Sequence, residues 1–140
     1  MILHFSYEEL RALESGARNF LEGEGTTPAT VLAPPESRDR VEALLARLDG
    51  DVSLSTLGEL KGVQMAVSAI VECLREEMEA VVVTTHAADE GAVAAYFDFA
   101  HAFTAAHRIK EMAAEMEALI ELVTGSPSTS ETSRDFRFPD

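Results

Sequence analysis

Apolar and small residues in the last long stretch of this chain recur at alternating steps of four and three. From Gly91 one series runs Gly91, Asp98, Ala105, Met112, Leu119, and a second runs Ala95, Ala102, Ile109, Met116, Val123. Each series advances by one heptad, which keeps its members in a narrow stripe of an α-helix and makes the seam of a helix–helix contact. The pattern predicts a helix from about Asp89 to Thr124. Asp89 and Glu90 suit the positive end of its dipole, and Gly125 stops it.

A second long helix is predicted from near Ser55, with the stripe Leu60, Val63, Val67, Ile70, Leu74, Met78 and Val81. Gly58 and Gly62 weaken its first turns and leave room for close approach of another backbone. The β-branched run Val81-Val82-Val83-Thr84-Thr85 marks its frayed end, with a strand there as the rival assignment. A short turn between the two long helices makes them antiparallel neighbours.

The beginning of the chain predicts two shorter helices. Phe5-Ser6-Tyr7-Glu8-Glu9-Leu10 reads as a capping box, with Ser6 as N-cap, Glu9 three residues on, and Phe5 and Leu10 as a hydrophobic staple. Leu10, Leu13, Ala17, Phe20 and Leu21 then form one face, ended by Gly23 and Gly25. Glu24 to Pro34 reads as a loop. Pro35 suits the first turn of the next helix, with the stripe Val41, Leu44, Leu45 and Leu48 and a stop at Asp49-Gly50. Val52 and Leu54 alternate with polar neighbours, a weak signal for a short extended segment.

The expected class is therefore all-α: two short N-terminal helices and a long antiparallel helical hairpin, completed by oligomerisation. Residues 1–124 form the helical domain. Residues 125–140 change character, with a Ser/Thr-rich stretch that reads as a flexible linker ending in Asp135-Phe136-Arg137-Phe138. Phe136 and Phe138 mark a candidate docking peptide.

Charge narrows the partners. Twenty-five acidic residues face eleven basic ones, for a net charge of −14. Such a surface repels phosphate backbones and anionic lipid, so neither nucleic acid nor membrane is an expected partner. A basic protein partner fits the charge, and an acidic inhibitor or antitoxin-like role is one alternative reading. Met1 to Leu10 lacks the basic and apolar regions of a signal peptide, and the apolar stretch Gly91 to Ala106 is short for a membrane span. The expected location is the cytoplasm. A single cysteine, Cys73, builds no intrachain disulfide and reads as a packing residue.

No phosphate-binding glycine loop, nucleophile elbow or zinc-protease helix is present in the sequence. No cofactor is expected, and an enzymatic role is disfavoured. The chemistry that stands out lies in the first half of the last helix, which is apolar nearly all round. Tyr96, Phe97, Phe99 and Phe103 point away from the seam, and a helix hydrophobic on every side needs burial on several sides. Two short helices do not supply that cover. The sequence therefore predicts a self-associating interaction protein, most simply a homodimer, with Tyr96, Phe97, Phe99, Phe103, Ala102, Ala105, Ile109, Met112 and Met116 at interfaces. Another protein, held through the tail or the aromatic half, is a further expected partner.

Asp98 occupies a seam position, where a bare carboxylate is costly to bury. Its expected role is a buried polar residue that fixes register, satisfied by Arg75, His101 or a second copy of itself. Asp98 and His101 also have spacing compatible with metal ligation, which gives the second alternative, a ferritin-like metal-binding protein. Glu72, Glu76 and Glu79 should point away from that pair, leaving such a site short of ligands.

Overall fold

A computed structural model describes residues 1–23, 25–85, 90–125 and 137–138. The described residues are mainly helical, with one small two-stranded sheet, in agreement with the all-α reading. The elements in order are β1 (Ile2–Leu3), α1 (Tyr7–Glu22), α2 (Pro28–Leu32), α3 (Ser37–Leu45), β2 (Val52–Ser53), α4 (Leu57–Thr85) and α5 (Glu90–Thr124).

The start of α1 follows the sequence signal closely. The Ser6 side chain accepts from the Glu9 N–H at 3.1 Å, and the Glu9 carboxylate accepts from the Ser6 N–H at 2.8 Å. Two N–H groups left unpaired by the first helical turn are thereby satisfied. Phe5 and Leu10 both pack against the core beside this cap. One helix has no counterpart in the sequence reading, which took Glu24 to Pro34 as loop. There Thr27 caps α2 and Pro28 opens it. The signals are present, but α2 is five residues long and buries none of them, so it shows no apolar period.

α4 is the centre of the bundle and packs against α1, α2, α3 and α5. Its predicted stripe is buried as far as Leu74, through Leu60, Val63, Val67 and Ile70, while Met78 and Val81 at its end are only half-buried. The helix continues through the β-branched run to Thr85 rather than changing to a strand. α1 contributes Ala12, Leu13, Ala17 and Phe20, and α3 contributes Val41 and Leu44. Gly16 lets α1 lie close to α4, since a Cβ there would stand 2.5 Å from Ile70 Cγ2 and 2.9 Å from Leu74 Cγ. Gly62 makes room for a side chain, the Arg40 guanidinium of α3, at 3.1 Å from where a Cβ would stand.

α5 lies along α4. Lys61, early in α4, ion-pairs with Glu117, late in α5, while Arg75 stands 5.5 Å over the ring of Phe99. The buried side of α5 departs from the predicted heptad. Ala102, Ala105 and Ile109 are fully buried, but the stripe continues through Ala113 and Ile120, whereas Leu119 and Val123 are 51% and 77% exposed. A helix of 3.6 residues per turn drifts by about 20° per heptad, so a strict seven-residue series leaves the contact over several heptads. Ala102 and Ile120 are separated by eighteen residues, about five whole turns, and stay on one side.

The weak extended signal at Val52 corresponds to β2, which pairs antiparallel with β1 in the register Ile2↔Ser53 and Leu3↔Val52. Thr56 forms an isolated antiparallel bridge with Arg137, and the Phe138 N–H donates to the Ser55 carbonyl at 2.9 Å. Phe138 is buried in the main core. The segment 52–56 therefore joins residues from both ends of the described chain.

Candidate functional site

The residues singled out on α5 separate into two groups. Ala102, Ala105 and Ile109 are buried inside the chain's own core, and Met112 and Met116 pack against it partly covered. These five serve contacts within one chain. Phe99 is half-buried beneath Arg75 and packs on Phe103, with ring centroids 5.8 Å apart.

The remaining apolar residues form an outer face. Val93, Tyr96, Phe97 and Phe103 are 43%, 55%, 54% and 48% exposed. Val93, Tyr96, Phe97, Ala100 and Thr104 follow the i, i+3, i+4, i+7, i+11 spacing of one helix face, about 180° from Ala102. Phe103 flanks that stripe. The Tyr96 and Phe97 rings meet edge to face at 5.8 Å, and the His101 ring stacks on Phe97 at 6.5 Å. The aromatics thus form a pre-arranged cluster rather than separate side chains. From Gly91 to His107 the sequence carries one formal charge, Asp98, in a chain of net charge −14. The face carries little formal charge for so acidic a chain.

Asp98 and His101 are both half-buried. Among the described residues, no hydrogen bond or ion pair joins Asp98 to Arg75, which instead pairs with Glu72 on its own helix at 3.2 Å. Among the described residues, no three His, Cys, Asp or Glu side chains gather closely enough to hold a metal ion. Phe136 lies outside the described residues. Phe138 docks on the chain's own core, as described above.

One polar centre escaped the sequence reading. The Arg108 guanidinium donates to both oxygens of Glu9, Nη1 to Oε2 at 2.9 Å and Nη2 to Oε1 at 3.1 Å, and to the His4 carbonyl at 3.0 Å. Glu9 is 5% exposed. Burial opposes its ionisation, but the Arg108 hydrogen bonds, the Ser6 N–H and the Arg108 charge outweigh that and hold the carboxyl below its ordinary value. The partners are ninety-nine positions apart, and nothing local in either segment signals the pairing.

Cys73 is buried, and its thiol is pushed up to about 11 by burial first, then by the charges of Glu76 and Glu77. Since the thiolate is the reactive form, the native protein is expected to resist iodoacetamide at neutral pH and to react once unfolded in urea. Mass spectrometry of the adduct checks this. Rapid modification of folded protein would show that Cys73 is more open than its burial implies.

Among the described residues, no helix is long and apolar enough to cross a membrane. No family model, curated protein or solved structure gave a significant match to this chain.

Proposed function

We propose that this chain is a self-associating helical interaction protein whose α4–α5 antiparallel hairpin is completed by a second copy along the outer face of α5. The observation that carries this reading is the exposed cluster of Val93, Tyr96, Phe97 and Phe103. Aromatic side chains supply the anchors of most protein interfaces, and pairing them removes from water the apolar area that a lone chain leaves exposed. Like charges on two acidic copies repel, so contact is favoured where charge is lowest.

A two-fold pairing crosses the helices near Ala100, whose small side chain permits close approach. In an antiparallel crossing centred there, Phe97 lies opposite Phe103 of the partner subunit and Tyr96 lies opposite Thr104 of the partner subunit. His101 flanks the crossing, where it favours one register over its shifted alternatives. In this reading the assembly presents an acidic surface to other partners and serves as scaffold or accessory subunit.

Native mass spectrometry of the untagged protein tests the proposal. A dimer is expected, with Phe97→Asp giving a monomer of unchanged helical circular dichroism. Burying an unpaired carboxylate at the centre of such a contact should weaken association by at least about a hundredfold. A wild-type monomer at micromolar concentration, or a Phe97→Asp protein that still dimerises, would overturn it.

A further inference from the structure

We infer that the ribbon 52–56 is a peptide-docking site, that the chain's own C-terminal segment is its resident ligand, and that the same segment of a second copy can take its place. The site lies apart from the outer face of α5, and the inference stands independently of association through that face.

Alternate residues of an extended strand turn their backbone groups to opposite sides. Leu54 turns toward the start of the chain. Its N–H donates to the Met1 carbonyl at 2.8 Å, and its carbonyl accepts from the Met1 amine at 3.1 Å. Ser55 turns the other way, and on that side its carbonyl accepts from the Phe138 N–H at 2.9 Å. Addition of an extended segment to a strand edge is a recurring mode of peptide recognition, in which backbone bonds attach the peptide and a seated side chain selects it. Phe138 is the seated side chain, 9% exposed and part of the main core, while Arg137 beside it is exposed.

The attachment is short. The Ser55 N–H is given to the Glu59 carboxylate at 2.6 Å rather than to the segment. At the next residue facing that edge, the Ser53 carbonyl accepts from the Arg47 guanidinium. Among the described residues, the segment is therefore held by the Thr56–Arg137 bridge, the Ser55 bond and the Phe138 side chain. It is attached to a bundle whose helices already pack on one another.

Residues 126–136 connect Gly125, where α5 stops, to Arg137. A connection of that length spans at most about 40 Å. The Lys61–Glu117 pair sets the end of α5 beside the start of α4, which directly follows the docking ribbon. The segment is thus tethered next to its own site. Short tethers give effective concentrations of about a millimolar, so the site is filled from within the chain when the protein is dilute. Exchange between copies loses no contact, because both copies present the same residues.

Fluorescence anisotropy of the full chain with a fluorescein-labelled peptide matching residues 133–140 tests the assignment. Wild type is expected to bind the peptide weakly, because its tethered segment competes. Phe138→Ala, whose own segment lacks the anchor, should bind it at least about tenfold more tightly. A control peptide with alanine at the position of Phe138 should bind neither. A second chain carries a specific protease site in place of residues 128–133. After cutting, native mass spectrometry should show the labelled peptide replacing the severed segment, one per chain. This chain retains Phe138 and decides the matter should Phe138→Ala lose its helical circular dichroism. Equal binding by wild type and Phe138→Ala, no binding to folded Phe138→Ala at millimolar peptide, a control peptide that binds as well, or a cut chain that keeps its own segment against millimolar peptide would each overturn the inference.

Discussion

Replacing Gly16 with leucine is expected to unfold the protein, and Gly16→Ala to destabilise it measurably. Alanine is the better helix former by about 1 kcal/mol, so an exposed glycine at mid-helix would gain from the change. Gly16 is buried, and its new Cβ meets Ile70 Cγ2 at 2.5 Å and Leu74 Cγ at 2.9 Å. One is the methyl on the branched Cβ of Ile70 and the other the branch point of Leu74, both on buried side chains close to the backbone, so relief requires α1 to move off α4. Overpacking of this kind costs about 1–3 kcal/mol for a small insertion. The alanine variant should therefore lose about 1 kcal/mol net, after its propensity gain. Leucine adds three further carbons and should cost about 4 kcal/mol or more, a large share of the stability of a small domain. Urea unfolding followed by circular dichroism measures both. An alanine variant as stable as wild type would mean that α1 and α4 separate freely.

The Glu9–Arg108 pair gives the second large effect, and it is asymmetric. Arg108→Ala leaves an almost fully buried carboxylate without its bidentate partner and should cost about 3 kcal/mol. Glu9→Gln keeps the side chain that caps Ser6 and leaves Arg108, whose side chain is 40% exposed, free to turn to water. Its cost should be about 1 kcal/mol. The sign of the pH dependence follows from the lowered Glu9 carboxyl. Its contribution is fully present above the ordinary carboxyl value of 4.5 and is lost as pH falls through the lower value it has when folded. Wild type should therefore lose stability below about pH 4.5 more steeply than Glu9→Gln. Urea midpoints measured from pH 3 to 7 decide the matter, and parallel curves for the two proteins would remove Glu9 from the account.

These two sites also show what the sequence discloses. The Ser6–Glu9 capping box was legible because both partners lie within one helical turn. The α4 stripe was legible because Leu60 to Leu74 repeat at a helical period, and their burial follows from that period alone. On α5 the heptad predicted the correct side near Ile109 and failed at Leu119 and Val123, where the drift of a straight helix had accumulated. Gly16 carried no mark in the sequence, because its importance lies in Ile70 and Leu74 on another helix. Arg108 was similarly silent, and α2 lacked any buried face to betray it. On the candidate surface, the aromatics of α5 stood out in the sequence, but their division into buried and exposed members required the positions of α1 and α4.

The pairing of residues 52–56 with Leu3 on one side and Phe138 on the other has a mechanical consequence. Met1 is bonded to Leu54 and Phe138 to Ser55, so both ends of the described chain grip adjacent residues of one ribbon. Tension applied between those ends passes through this ribbon before it reaches any helix. The core then bears no load until a few backbone hydrogen bonds and the seat of one phenylalanine have given way.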